Sequence, residues 1–324
     1  MKKLIAVLLA AVTMLTLSLT VGCKTTENGV ITVAVPDGAP TLALYSMMDS
    51  VNTLEGYKIE YKVLSGSENI GKTLVSGAAD CAVMPVNVAA KLYNTGNDLK
   101  LLSVNVFGVL YLVGSDAIQT PSDLSGKVIV TIGKGATPDL SLKLILDGNG
   151  VEYVDSETAV DGKVALNYVA DAPTAMKSLA AGNADYAILG EPQVSVACKN
   201  LGVQIVMDIQ KEWSALVGED TFTQAGFVMN KNVYENEALA NALLRVLSRN
   251  PDYVMQDPAK VKKVIQKFGS SLQIDFTKDI LTRCNLGAKS AADIKTSLQK
   301  YFNAILDYDP TFIGSKSPDE AFYY

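Results

Sequence analysis

Residues 74–85 read L-V-S-G-A-A-D-C-A-V-M-P, and residues 179–192 read L-A-A-G-N-A-D-Y-A-I-L-G-E-P. Aligning Gly77 with Gly182 puts Leu74 on Leu179, Asp80 on Asp185 and Ala82 on Ala187. Each copy predicts a helix end, a tight turn at the glycine and a short buried strand that stops at a proline-marked tip. The copies lie about a hundred residues apart, too far for a solenoid repeat, and this spacing suits two similar α/β lobes. Ligands of open α/β sheets bind beyond the carboxyl ends of strands. The tips at Pro85 and Pro192 are therefore the first places to seek a site.

The start of the chain stands outside this scheme. Lys2 and Lys3 precede an apolar run over residues 4–21, followed by Gly22 and Cys23. A basic start, an apolar stretch and a small residue before the cut describe a secretory signal. The small residue before Cys23 resembles a bacterial lipobox, with Thr20 where leucine is usual, and implies that Cys23 becomes the lipid-modified first residue. A transmembrane anchor is the alternative, since the run is just long enough to span. The Gly-Cys end and the polar residues 24–28 favour cleavage. The expectation is a signal peptide over 1–22, an anchored linker over 23–29, and an extracytoplasmic protein held at the membrane by its lipid.

Charge and composition narrow the chemistry. The chain carries a net charge of −6, and loss of Lys2 and Lys3 takes it to −8. An acidic protein argues against a nucleic-acid partner. There is no histidine. That excludes His-based acid–base chemistry, Ser-His-Asp triads and the usual zinc sets, so neither a metal nor a cofactor is expected. Arginine occurs only at 245, 249 and 283, away from both strand tips in sequence, so a bidentate arginine clamp on an anion is not expected there. Cys81, Cys198 and Cys284 are far apart and odd in number, which argues against a disulfide framework; Cys81 reads as a buried small hydrophobe.

Along the chain, strands are predicted over 31–35, 57–64 and 81–84, each followed by a polar or proline-bearing tip and a helix. The apolar run 101–113 is too long for one strand and reads as a strand plus a crossover. Strands over 128–132, 166–169, 186–189 and 203–207 follow, and 227–229 returns the chain to the first lobe. Helices are predicted over 236–248, 258–268 and 291–306. The domain reading is lobe 1 over 30–108, lobe 2 over 109–224, and a return to lobe 1 with C-terminal helices over 225–324.

Gly133-Lys134-Gly135-Ala136-Thr137 links a strand to a helix, so its backbone can approach a ligand closely and its helix start favours negative charge. It is neither a P-loop nor G-x-G-x-x-G, because Pro138 takes the third glycine position. An ordinary tight turn is the plainer reading. Glu191 is the acidic residue of the repeat tips. It can accept from a ligand amino group, pair with a cation, bond Lys134 or stand in solvent. Asp80 and Asp185 each begin a strand after a turn and are expected to bond local backbone N–H groups. Among the aromatics Tyr45, Phe107, Tyr111, Trp213 and Phe227, Trp213 lies in a polar stretch and is expected near a surface loop or lid.

The strand–Pro36-Asp37-Gly38-Ala39-Pro40-Thr41–helix entry and the paired L-x-x-G-x-A-D-x-A motifs resemble the type 2 periplasmic binding proteins. Asp123-Leu124-Ser125-Gly126-Lys127 followed by a strand and the Gly133–Thr137 loop, Gly190-Glu191-Pro192, and the ending over residues 313–324 resemble the nitrate/sulfonate/bicarbonate and thiamine-pyrimidine-precursor branch. The resemblance implies two α/β lobes joined by two crossovers, hinge closure on a small molecule, docking on the permease of an ABC importer, and a monomer. Carried over by position, the implied pocket is Asp37, Gly38, Ala39, Thr41, Ser65, Ser67, Pro85, Asn87, Asn105, Gly135, Ala136, Thr137 and Glu191. A sulfonate or taurine-like oxyanion and an aminopyrimidine both qualify as ligand. A sensory subunit for a membrane receptor and, against the export signal and the missing histidine, an enzyme on the same fold are the competing classes.

Overall fold

The computed structural model describes residues 28–64, 69–135, 137–219 and 221–324. The proposed signal and Cys23, together with Ser65, Ser67 and Ala136, lie outside the described residues. The chain begins with β1 (Gly29–Pro36), α1 (Ala39–Leu42), α2 (Tyr45–Ser50), β2 (Thr53–Leu54), β3 (Tyr57–Leu64), α3 (Ile70–Val75), β4 (Cys81–Pro85), α4 (Val86–Asn94) and β5 (Leu99–Val106). It crosses over into β6 (Leu110–Gly114), β7 (Val128–Ile132), α5 (Thr137–Gly148), β8 (Tyr153–Asp155), β9 (Val164–Val169), α6 (Ala172–Ala180), β10 (Tyr186–Gly190), α7 (Gln193–Leu201), β11 (Gln204–Asp208) and α8 (Ile209–Val217). It then returns through β12 (Ala225–Asn230), α9 (Lys231–Tyr234), α10 (Glu237–Val254), α11 (Pro258–Gln266), α12 (Lys278–Arg283), β13 (Leu286–Ser290) and α13 (Lys295–Tyr308).

Among the described residues the strands form two sheets, ordered β13-β5-β12-β4-β1-β3-β2 and β11-β6-β10-β7-β9-β8. The sheets are built alike. In the first, β3, β1 and β4 run parallel and β12 lies antiparallel against β4. In the second, β9, β7 and β10 run parallel and β6 lies antiparallel against β10. In each lobe the antiparallel neighbour is the strand the chain makes immediately after a crossover. The run 101–113 thus divides, as its length requires, between β5 of one sheet and β6 of the other.

The sequence repeat is the matching core of both sheets. Gly77 and Gly182 turn with φ of 72° and 71°, a left-handed conformation that glycine adopts without steric cost. Asp80 and Asp185 accept backbone N–H groups, but not local ones. Asp80 Oδ2 accepts from Thr32 N–H at 2.9 Å and Asp185 Oδ2 from Val128 N–H at 2.8 Å, each at the start of the neighbouring parallel strand. The reverse bonds, Asp80 N–H to the Thr32 carbonyl and Asp185 N–H to the Val128 carbonyl, close each pair. The strand begins level with its neighbour, so the aspartate reaches across the sheet rather than along the turn.

Strand residues alternate between the two faces of each sheet, and both faces are buried, as expected for largely parallel strands. Val33 and Val35 face one core cluster while Ala34 faces another; in the second lobe Ile129 and Val130 divide in the same way. The helix predicted over 236–248 runs on to Val254. Buried Asn250 fastens the extension by accepting from Ser46 N–H at 2.7 Å and donating to the Leu42 carbonyl at 3.0 Å. Cys81 is buried as read from sequence, and Cys81, Cys198 and Cys284 are all free thiols. Among the described residues no helix is long and apolar enough to cross a membrane.

Trp213 corrects an expectation. It is fully buried, with its ring 5.0 Å from Phe222 edge-on and 5.8 Å from Tyr301. Ile209 and Trp213 are both buried on α8 at helical spacing; Ile209 joins the second lobe's core, whereas Trp213 enters a cluster shared with α13 of the first. The polar residues around it belong to the outer face of an amphipathic helix capped by Asp208, whose carboxylate accepts from Lys211 N–H.

Candidate functional site

A cleft of about 330 Å³ lies between the two sheets. The first lobe lines it with residues 36–40 and 84–85, at the carboxyl ends of β1 and β4, and with 271–273. The second lobe contributes residues 132–133, 137–138, 170–173 and 190–191, at and just past the carboxyl ends of β7, β9 and β10. Both crossovers reach it, at Val109 and at Gln224. They are held together there: Gln224 Oε1 accepts from Val109 N–H at 2.9 Å, and Gln210 Oε1 accepts from Leu110 N–H at 2.9 Å. The cleft therefore opens at facing strand tips of the two lobes, Pro85 and Glu191 among its lining.

Helix starts surround the cleft, and each is altered by proline. Pro40 and Pro173 lie in the first turns of α1 and α6, Pro138 is the second residue of α5, and Pro85 and Pro192 cap α4 and α7. Proline has no N–H to give, so each start has one donor fewer for an anion. The chain's own carboxylates complement the remaining donors of two of these helices. Asp171 Oδ1 caps α6 by accepting from Thr174 N–H at 2.8 Å, and these bonds to Thr174 hold its carboxyl below the usual range. Glu191 Oε2 accepts from Ser195 N–H on α7 at 3.2 Å. Asp37, ahead of α1, accepts from Ser270 Oγ at 2.6 Å, Ser271 N–H at 2.7 Å and Ser271 Oγ at 2.8 Å.

The lining is otherwise apolar, with prolines, Met84, Met176, Val109, Leu110, Ile132 and Leu272, and it contains the carboxamides Gln193, Gln224 and Gln273. Among the described residues that line it there is no lysine, arginine or aromatic ring. Among the described residues its charged ones are Asp37, Asp171 and Glu191.

The residues singled out from sequence divide into three groups. Asp37, Gly38, Ala39, Pro85, Thr137 and Glu191 line the cleft. Thr41, Asn87, Asn105 and Gly135 are not part of its lining. Thr41 Oγ1 donates to the Pro36 carbonyl at 2.9 Å and shapes the entry turn. Buried Asn87 ties the lobes together, donating through Nδ2 to the Gly135 carbonyl and accepting from Thr137 Oγ1, both at 3.3 Å. Gly135 turns with φ 77° and gives its N–H to Asp139 Oδ2 at 2.8 Å. A Cβ there would lie 3.3 Å from the Phe312 ring, so the loop packs on the first lobe's C-terminal segment. Asn105 is buried on β5 and accepts from Ser103 Oγ at 3.0 Å. Ser65, Ser67 and Ala136 lie outside the described residues.

Glu191 has a partner that sequence reading discounted. Lys134 pairs with Asp155 at 2.5 Å, whereas Arg283 on α12 gives its Nε to Glu191 Oε1 at 2.6 Å. The expectation that no arginine serves these tips is therefore corrected: the return segment folds Arg283 back against the second repeat. Burial opposes the guanidinium charge, but the bond to Glu191 outweighs it and raises the group above its ordinary value. Burial, then the carboxylates of Asp208 and Glu191, push the nearby Tyr111 phenol up to about 12. The α6 cap at Asp171 carries a local sequence signal, an Asp followed two residues later by Pro.

Residues 53–261 match the NMT1/THI5-like family. The chain belongs to this family. No curated protein matches it. Among solved structures, this NMT1/THI5-like chain is similar to an ABC transporter structure from Parabacteroides distasonis, with 24% identity, TM-score 0.74, and coverage of 91% of this chain and 98% of that one. The ligand-binding component of an ABC-type import system from Staphylococcus aureus, solved with zinc, is 11% identical, with TM-score 0.68 and coverage of 92% and 97%. The periplasmic aliphatic sulphonate-binding protein SsuA of Escherichia coli is 15% identical, with TM-score 0.66 and coverage of 91% and 97%. These likenesses establish the two-lobed periplasmic-binding-protein fold. Among the described residues no group of three or more cysteine, aspartate or glutamate side chains is placed to hold a metal ion.

Proposed function

We propose that this NMT1/THI5-like protein is the extracytoplasmic solute-binding subunit of an ABC importer. It is anchored through a lipid on Cys23, acts as a monomer without catalysis, and closes its lobes on a small molecule that it delivers to the permease. The proposal includes the division into lobe 1 (30–108), lobe 2 (109–224) and the return (225–324), with the two crossovers as hinge. Short segments from both lobes converge on one cleft of a size that suits a small ligand.

The observation that carries the ligand class is the charge of that cleft. Asp37 and Asp171 line it without an ion-pair partner among the described residues, Glu191 is already paired, and no cation lines the wall. A ligand that offers N–H groups along a flat or apolar body meets this surface best; an aminopyrimidine is of that kind. A sulfonate is the second reading, favoured by the ring of helix starts and by the sulphonate-binding relative in the same fold. Titration calorimetry with 4-aminopyrimidine and with ethanesulfonate separates them. Saturable one-to-one binding of the pyrimidine alone is expected; binding of ethanesulfonate alone would replace the first reading with the second.

A further inference from the structure

Glu191 and Arg283 form a closed triangle with Ser195. Arg283 Nε donates to Glu191 Oε1 at 2.6 Å, Arg283 Nη2 donates to Ser195 Oγ at 2.7 Å, and Ser195 Oγ donates to the same Glu191 Oε1 at 2.9 Å. Ser195 N–H adds a bond to Oε2. The Glu191 side chain is wholly buried in the cleft wall, while Arg283 is 38% exposed and does not line the cleft. Glu191 belongs to the second repeat and Arg283 to the return segment, so the pair spans the lobe junction. A buried carboxylate facing an apolar cleft without a partner would project a strong negative field into it. With Arg283 in place, that field is largely cancelled, and among the described lining residues the remaining charge is that of Asp37 and Asp171.

We propose that Arg283 is a specificity-determining residue: it neutralises Glu191 across the lobe junction and so sets how far the cleft discriminates between neutral and cationic ligands. This rests on the reading that the cleft is the ligand site. It differs from a purely structural ion pair in one respect. A structural pair alters affinity for all ligands alike, whereas a charge-setting pair alters the ratio between ligands of different charge.

The test is calorimetry on the full chain in detergent at pH 8, with neutral 4-aminopyrimidine and its permanently charged N1-methyl cation as probes. In Arg283→Met the affinity for the cation relative to the neutral probe should rise by about tenfold, and in Arg283→Lys it should stay within about twofold of wild type. The double variant Arg283→Met/Glu191→Gln should return the ratio to the wild-type value. An unchanged ratio in folded Arg283→Met overturns the proposal. If that variant does not fold, Glu191→Gln gives the mirror image: unopposed Arg283 should lower the ratio by about tenfold, and no change overturns the proposal. If wild type binds neither pyrimidine, the amino-bearing ligand reading fails. Arg283 is then judged by ethanesulfonate, whose binding should strengthen in Glu191→Gln; absence of that gain overturns the charge-setting role.

Discussion

Replacing Asp80 and Asp185 by alanine, one at a time, measures what the duplicated motif contributes to each lobe. Both carboxylates bond a strand-start N–H of the neighbouring strand, at 2.9 and 2.8 Å. Their settings differ. Asp80 also accepts from Asn230 Nδ2 at 3.3 Å, and its carbonyl accepts from Asn230 N–H, so it joins β1, β4 and β12. Asp185 joins β7 and β10 only, its side chain is 41% exposed, and Lys127 stands 3.8 Å away. A hydrogen bond to a charged group contributes about 1.5–3 kcal/mol when its loss strands the donor, and less when water replaces it. Asp80→Ala should therefore cost about 2–3 kcal/mol. Asp185→Ala should cost about 1 kcal/mol, since water reaches Val128 N–H and the Lys127 pair is worth little. Asp80→Asn should recover about half the loss, because the amide oxygen can serve Thr32 while the amide nitrogen opposes the Asn230 donor. Urea denaturation gives the energies, and hydrogen exchange at the Thr32 and Val128 amides locates them. Equal losses, or a larger loss for Asp185→Ala, would refute the reasoning that the third strand makes the first copy the stronger.

Trp213→Ala should cost about 3–5 kcal/mol, as for a large buried ring, where a surface lid would lose almost nothing; urea midpoints decide, and the emission of this lone tryptophan should be blue-shifted and shielded from acrylamide. Asn87→Ala removes a tie between lobes and should weaken binding of the calorimetric probe by about three- to tenfold while leaving helix content unchanged by circular dichroism. Asp171→Ala should lose about 1 kcal/mol of helix capping at pH 7. Because its carboxyl is lowered in the fold, that contribution is present above the unfolded carboxyl value and disappears as pH falls through the folded one, so the urea midpoints of wild type and variant should converge in acid.

Much of the architecture is written in local pattern. The glycine turns, the short buried strands and the proline-marked tips each follow from residues within a few positions of one another, and so they were legible. The cleft-lining residues Asp37, Gly38, Ala39, Pro85, Thr137 and Glu191 inherit that legibility, since each sits at such a tip. Arg283 was not legible in the same way. It reaches Glu191 only because α12 packs back across the junction, and no pattern within either segment records that meeting. Asn87 and Gly135 follow the right strand tips, but Asn87 spends its amide on the Gly135 carbonyl across the lobes, and Gly135 gives its N–H to Asp139 within its own lobe. Trp213 is a different case. Ile209, Trp213 and Val217 recur every four residues on one helix face, a signal for burial that the surrounding charges obscured.

The position of β12 between β4 and β5 has a consequence for how the chain matures. The second lobe is one uninterrupted stretch and can complete its sheet as soon as it is synthesised. The first cannot: β4 and β5 have no contact partner on their facing edges until β12 arrives, after the whole second lobe has been made. A nascent chain halted before residue 225 would hold one finished lobe and one in which β4 has an open edge and β5 has neither of its neighbours, β12 or β13, the kind of edge that recruits other chains. Vectorial synthesis thus makes the lobe that starts first the one that finishes last, and the last hundred or so residues act on it as an internal chaperone would, by closing its edges from within.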